Sequence, residues 1–209
     1  MYSVKEIFYS VQGEGYYSGR PAVFCRFSGC NLWSGREEDR ARAVCSFCDT
    51  DFTGTDGTDG GIYEDAGRLV EKIAASWPHR GNRCFVVCTG GEPLLQIDDV
   101  FIAALHKAGF EVAVETNGTI AAPAGIDWLC VSPKANAKLL QTSGDELKLV
   151  YPQEGGDPSR FEELAFRHFF LQPMDGRDSK EALQSALRYV LGNPRWRLSL
   201  QLHKILNIR

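Results

Sequence analysis

Three cysteines constrain this chain more than any other feature. Cys30, Cys45 and Cys48 stand as C-x14-C-x2-C, in a stretch with few signs of regular structure. Two cysteines separated by two residues can turn both sulfurs toward one metal, and a third can arrive from a nearby loop. Thiolates select zinc or iron–sulfur clusters. Three protein ligands leave a fourth position open, whereas a structural zinc site normally closes with a fourth Cys or His. The histidines, His79, His106, His168 and His203, sit at no zinc-finger spacing from the trio. The residues favour an iron–sulfur cluster with one iron free, against zinc and against plain buried thiols. The segment at about 28–62 reads as the cluster-binding loop.

The other cysteines differ. Cys25, Cys84, Cys88 and Cys130 lie in apolar segments and read as small hydrophobes. The seven cysteines are an odd number, so a complete disulfide framework would leave one over. The opening Met1-Tyr2-Ser3-Val4-Lys5-Glu6 is mixed and polar, unlike a secretory signal. The longest apolar runs fall far short of the roughly 20 residues that span a bilayer. A cytoplasmic protein with reduced thiols and no membrane contact is expected. The 209 residues suit one domain, 1–209, with a sizeable core. A net charge of −4 argues against direct nucleic-acid binding, which rewards basic surfaces.

Short runs rich in Val and Phe mark the interior of a sheet. They are Pro21–Phe27, Cys84–Cys88, Val112–Glu115, Trp128–Val131, Leu147–Val150 and His168–Gln172, with Trp196–Leu200 as a seventh strand or an edge. Helical spacing recurs in Ala66, Leu69, Val70 and Ile73, and again in Phe101, Ala104, Leu105 and Ala108 after Asp98-Asp99. Asp178 with Glu181 resembles a capping box ahead of Leu183, Leu187, Val190 and Leu191, with Gly192 as the stop. A weaker helix is expected at about 158–166, and a surface loop over Gly54–Gly61. Alternating strands and helices predict an α/β fold with a mainly parallel sheet of about six strands. A closed eight-fold barrel needs about 250 residues, so an open, partial β/α barrel is expected.

Further short motifs follow the strands: Gln12-Gly13-Glu14-Gly15, Arg26-Phe27, Cys48-Asp49-Thr50, Thr89-Gly90-Gly91-Glu92-Pro93, Glu115-Thr116-Asn117-Gly118, Ser132-Pro133-Lys134 and Leu171-Gln172-Pro173-Met174-Asp175. Strand ends are where α/β active sites collect. Cysteines followed by a strand ending in Thr-Gly-Gly-Glu-Pro resemble the radical S-adenosylmethionine superfamily, which usually spaces its cysteines C-x3-C-x2-C. The expanded interval here, with the other motifs in this order, resembles the 7-carboxy-7-deazaguanine synthase family.

That resemblance implies a radical-SAM-like partial barrel, usually a homodimer, and a lyase. Cys30, Cys45 and Cys48 would hold three irons of a [4Fe-4S] cluster, with S-adenosylmethionine on the fourth. A 5′-deoxyadenosyl radical would then do the chemistry, so no side chain is expected to act as a catalytic group. The substrate implied is 6-carboxy-5,6,7,8-tetrahydropterin. It would become 7-carboxy-7-deazaguanine with loss of ammonia, a precursor of queuosine in tRNA. Thr50 resembles the ligand of a Mg²⁺ beside the substrate carboxylate. Gly91 would offer its backbone carbonyl to the methionine ammonium of the cofactor, with Glu92 supporting its loop, and Phe47, Cys48 and Asp49 would meet the cofactor largely through backbone atoms. Ser132, Pro133, Lys134, Gln172, Pro173, Met174 and Asp175 would meet its adenosine part. Arg26 would pair with the substrate carboxylate. Val11, Gln12, Gly13, Glu14, Thr89, Glu115, Asn117 and His203, with the terminal carboxylate of Arg209, would complete the pterin site. A reducing donor of flavodoxin or ferredoxin type is also implied.

Two other classes compete. A zinc nucleobase deaminase needs His-x-Glu upstream of Pro-Cys-x2-Cys, and here Ala43-Val44 precede Cys45. A structural zinc module would bind zinc without iron. Within the superfamily, a small activase would cleave the cofactor and ignore the pterin.

Overall fold

Strands buried on both faces carry near-continuous apolar runs, and these runs build the sheet. The computed structural model describes residues 1–79 and 84–209. Its strands are β1 (Tyr2–Val11), β2 (Pro21–Phe27), β3 (Gly61–Tyr63), β4 (Cys84–Gly90) and β5 (Phe110–Thr116). They continue with β6 (Trp128–Val131), β7 (Ser143–Tyr151), β8 (Ala165–Pro173) and β9 (Trp196–Leu198). The order across the sheet is β3-β1-β2-β4-β5-β6-β7-β8-β9. From β2 to β9 every neighbouring pair is parallel. The expected open α/β architecture is therefore present, with β9 as its edge.

The sequence reading missed β1 and β3, which extend the other edge antiparallel. Strand β1 hides because its alternation breaks. Tyr2 and Val4 face the main core, then the register against β2 shifts between Val4 and Glu6, and Ile7 rejoins that core. Such a bulge adds one residue to a strand and re-aims its neighbours.

Helices α1 (Ala66–Ala75), α2 (Asp99–Lys107) and α3 (Ser179–Gly192) supply buried side chains to the main core. The Asp65 and Asp98 carboxylates cap α1 and α2, accepting from the Arg68 and Phe101 amides and satisfying donors the helices leave free. At α3 the expected capping box does not form, because the Asp178 side chain accepts no cap hydrogen bond. The helix expected at 158–166 is also corrected. Only a 3₁₀ turn forms at Pro158–Phe161, and β8 begins at Ala165. A short helix, α4 (Leu202–Leu206), had no sequence signal strong enough to find it.

Alternation along the strands sorts two faces. Val23, Cys25 and Phe27 of β2, with Val86 and Cys88 of β4, face the helices. Ala22 and Phe24, with Phe85 and Val87, face the concave side, where they join Phe8, Ala113 and Trp128 in a second apolar cluster. This cluster floors the concave face and leaves the C-terminal strand ends free for polar groups. Cys25 and Cys88 pack as small hydrophobes, and Cys84 lies partly buried against the same core. Cys130 does not, since its thiol donates to Glu146 Oε1 at 3.4 Å.

Phe101 is fully buried, with Tyr2 and Phe27 rings 5.3 and 5.9 Å away. Phe101→Ala is expected to destabilise the fold by about 3–5 kcal/mol, read from the urea midpoint. A loss well below that range would mean that α2 is not a principal cover of the sheet.

Candidate active site

The parallel strands end around a cavity of about 430 Å³. Arg26 from β2, Thr89 from β4, Glu115 from β5, Lys148 from β7 and Gln172 from β8 line it, each on the concave face of its strand. Arg26 and Thr89 are register partners across β2 and β4. The cavity wall therefore follows from parallel register and period-two alternation.

Loops bring the remaining groups. Cys30, Cys45 and Cys48 all line the cavity, with Phe47, Asp49 and Thr50 beside them. The Leu32 amide donates to Cys30 Sγ at 3.5 Å. Cys45 and Cys48 share a hydrogen bond, which lowers Cys48 and raises Cys45. One thiolate of the pair thus forms easily, and the second only when a cation joins it. Among the described residues, no group of three or more His, Cys, Asp or Glu converges closely enough to hold one metal ion. An iron–sulfur cluster spreads its thiolates over several irons, so convergence on one point is not required. Three thiols on one cavity wall, one of them readily ionised, fit the donor set of such a cluster.

The Gly90-Gly91-Glu92 turn sets the position of the Cys30 loop. The Gly91 and Glu92 amides donate to Phe27 O at 3.1 Å and Gly29 O at 2.9 Å. A Cβ on Gly91 would lie 1.9 Å from Gly29 O, so only glycine permits this approach. Gly91 lines the cavity, but Glu92 does not. Its fully buried carboxylate accepts from Leu94 N, Thr116 Oγ1 and Asn117 N at 2.8–2.9 Å. Burial pushes this carboxyl up while those donors oppose the shift.

At the opposite wall, Val11, Gln12, Gly13 and Glu14 meet the C-terminal segment. The Leu202 amide donates to Gly13 O at 2.9 Å, and a Cβ on Gly13 would lie 2.3 Å from His203 Nδ1. His203, Arg209 and Asn117 also line the cavity. So do Ser132, Lys134, Pro173 and Asp175, whereas Pro133 and Met174 do not. The Lys134 ammonium donates to Ser132 O and Oγ, both at 2.8 Å, and lies 5.9 Å from the centre of the Phe47 ring.

Sequence reasoning missed several wall residues. Glu6 reaches the cavity through the β1 bulge and accepts from Arg26 Nε at 2.9 Å and Arg209 Nη2 at 2.5 Å. Lys204 bridges Asp49 at 2.5 Å and Asp175 at 2.7 Å, and Gln201 Nε2 also donates to Asp49. Lys148 was the one with a visible signal, a charge inside the apolar run Leu147–Val150.

No family model matches the chain. Known proteins do resemble it over its full length. It is 62% identical over 207 residues to a 7-carboxy-7-deazaguanine synthase of Caulobacter vibrioides, covering 99% of both chains. A protein of the same description from Bradyrhizobium diazoefficiens is 60% identical over 208 residues, covering 100% of this chain and 99% of that one. The crystal structure of QueE from Escherichia coli superposes with a TM-score of 0.73 at 26% identity, over 96% of this chain and 93% of that one.

Glu92→Gln keeps the shape but turns an amide N–H₂ toward groups that donate. It is expected to lower stability by about 1–3 kcal/mol, measured by chemical denaturation. Stability equal to wild type would show that the turn does not depend on this carboxylate.

Proposed function

We infer the working of this site from the premise that the chain belongs to the 7-carboxy-7-deazaguanine synthase family of the radical S-adenosylmethionine superfamily. It is a lyase that converts 6-carboxy-5,6,7,8-tetrahydropterin to 7-carboxy-7-deazaguanine in queuosine biosynthesis. Enzymes of this family use S-adenosylmethionine and an iron–sulfur cluster.

The observation that carries the residue assignment is that the three thiols share one cavity with polar groups from the ends of five parallel strands. In our reading Cys30, Cys45 and Cys48 would hold a [4Fe-4S] cluster, and S-adenosylmethionine would bind beside it in the same cavity. When bound, the cluster and this cofactor together supply the radical chemistry. The protein's part is to bind, orient and exclude water. Gly91 offers backbone to the methionine ammonium, and Glu92 holds that turn from behind. Phe47, Asp49, Ser132, Lys134, Gln172, Pro173 and Asp175 take the rest of the cofactor, with Pro133 and Met174 shaping the backbone between them. Lys204 ties Asp49 to Asp175, so one cation joins the two loops assigned to the cofactor.

The pterin is assigned to the wall formed by Val11–Glu14, Thr89, Glu115, Asn117, His203 and Arg209. Arg26 is held by Glu6 through Nε, which leaves its other donors for the substrate carboxylate. Thr50 is assigned to a Mg²⁺ beside that carboxylate, since a hard cation takes oxygen ligands. Residues 1–209 would act as one domain, in a homodimer, with a flavodoxin- or ferredoxin-type donor. A reducing, cytoplasmic setting would keep Cys30, Cys45 and Cys48 available as thiolates for the cluster. No helix among the described residues is long and apolar enough to cross a membrane.

Low-temperature electron paramagnetic resonance on the anaerobically reconstituted, reduced protein tests the cluster. A [4Fe-4S]⁺ signal that shifts on adding S-adenosylmethionine is expected, and Cys30→Ala, Cys45→Ala and Cys48→Ala should each remove it. Stoichiometric zinc without iron would defeat the assignment. Thr50→Ala is expected to weaken the response of turnover to added Mg²⁺. An unchanged magnesium titration would take Thr50 out of the site.

A further inference from the structure

Strand β7 carries charge where a buried strand normally carries none. Glu146 and Lys148 are 3% and 4% exposed, and they alternate with Leu147 and Leu149, which face the helices. The Lys148 ammonium donates to Glu14 Oε2 at 2.5 Å and lies 3.5 Å from Glu115 Oε1. Gln172 and Gln201 donate to the other oxygen of Glu14, at 3.2 and 2.9 Å. Gln12 Nε2 donates to Glu115 Oε1, and Thr89 Oγ1 to Glu115 Oε2, both at 3.0 Å. Both carboxylates and the ammonium line the cavity. One cation thus bridges two acidic groups assigned above to the pterin.

Two carboxylates in one cavity repel each other, and without a cation one of them takes up a proton. A protonated carboxyl turns its O–H toward the ligand and stops being a pure acceptor. The pterin's 2-aminopyrimidinone edge presents N–H donors, so the wall needs acceptors that stay ionised and aimed. We propose that Lys148 is the positioning residue of the pterin wall, holding Glu14 and Glu115 in place as two oriented acceptors for the N–H donors of the substrate. The proposal rests on the pterin assignment made above.

The surroundings agree. Burial pushes the Glu14 carboxyl up, yet the Lys148 charge and hydrogen bond, with that of Gln201, bring it below the usual carboxylate range. Asp49 opposes this from the cluster loop. Burial pushes Lys148 down, but Glu115, Glu14, Cys130 and Glu146 hold it well above its ordinary value. Burial also raises Glu146, which accepts from the Tyr16 amide and the Cys130 thiol. Lys148 therefore stays charged across the working pH range, and Glu14 with it.

Lys148→Met in the reconstituted holoenzyme is the test. The pterin KM is expected to rise about tenfold or more, as when a buried polar site loses its matched partners. The cluster signal and its response to S-adenosylmethionine should be unchanged. In the wild type Glu14 is ionised below the usual carboxylate range, so the acid limb of kcat/KM lies low. Without the cation, the Gln201 hydrogen bond is left to oppose burial and the Asp49 charge at Glu14, and the acid limb should move up by about one pH unit or more. Lys148→Arg keeps the charge and should bring the limb back down. A wild-type KM and an unmoved acid limb in Lys148→Met would overturn the proposal, as would a loss of turnover with an unmoved limb. Should that variant fail to fold, Glu14→Gln must raise the pterin KM to a similar extent, and a wild-type KM there is equally fatal. A wild-type holoenzyme that ignores the pterin overturns the reaction reading, whereas normal wild-type turnover beside an indifferent variant overturns this proposal alone.

Discussion

A parallel sheet left open has one face that helices do not cover, and everything at this site follows from how that face is closed. The helices take the convex side. On the concave side the strand floor is apolar, with Phe8, Phe24, Phe85 and Trp128 filling it. Toward the C-terminal strand ends the inward side chains become polar: Arg26, Thr89, Glu115, Lys148 and Gln172. Groups taken from water in this way need partners, and they find them in one another and in two chain segments laid across the mouth. Those segments are the turn after β1 and the stretch around α4. Gly13 and Leu202 join them through backbone, and Glu14 and Gln201 through side chains.

The cysteine loop is ordered by a separate chain of contacts. Glu92 is buried with no ion-pair partner among the described residues, and three donors converge on it. That convergence fixes the end of β5 relative to the turn after β4. The same turn seats Gly91 against Gly29, one residue before Cys30. The cysteine loop, the Gly90-Gly91 turn and the end of β5 thus share one corner. Asn117 extends it, donating to Asn31 Oδ1 at 3.0 Å. A residue can therefore shape a cavity without lining it, as Glu92 does here by holding the backbone of Gly91.

The parallel strands were legible because burial on both faces leaves an unbroken apolar run. The motifs at their ends were legible because the connections are short and keep site residues next to their strands. What escaped notice depends on partners distant in sequence. Lys148 meets Glu14 across 134 positions, and Lys204 meets Asp49 across 155. No local pattern encodes such pairs. Helix α4 is five residues long, too short for helical periodicity to stand out. The expected box at Asp178 failed for a related reason. The residue pattern supplies candidates for a cap, but the backbone entering α3 decides whether the side chain reaches the free amides.

The glycine- and aspartate-rich run over Gly54–Gly61 read as a plain surface connection, and the structure gives it a fuller role. Lys5 sits at the β1 bulge and pairs with Asp51 and Asp56. Its carbonyl accepts from Gly57, and Thr58 O accepts from the Ile7 amide. The loop therefore grips both sides of the bulge. The bulge in turn aims Glu6 into the cavity, where its two oxygens hold the guanidinium groups of Arg26 and Arg209. Thr58 Oγ1 accepts from Arg209 as well. An irregularity that hid β1 from period-two reading is thus what places a carboxylate between Arg26 and the C-terminal segment. Were the same residues of β1 paired with β2 without the bulge, Glu6 would fall opposite Cys25 and turn toward the apolar helix face, a costly place for a charge. The break in pattern and the function of the edge strand have the same physical cause.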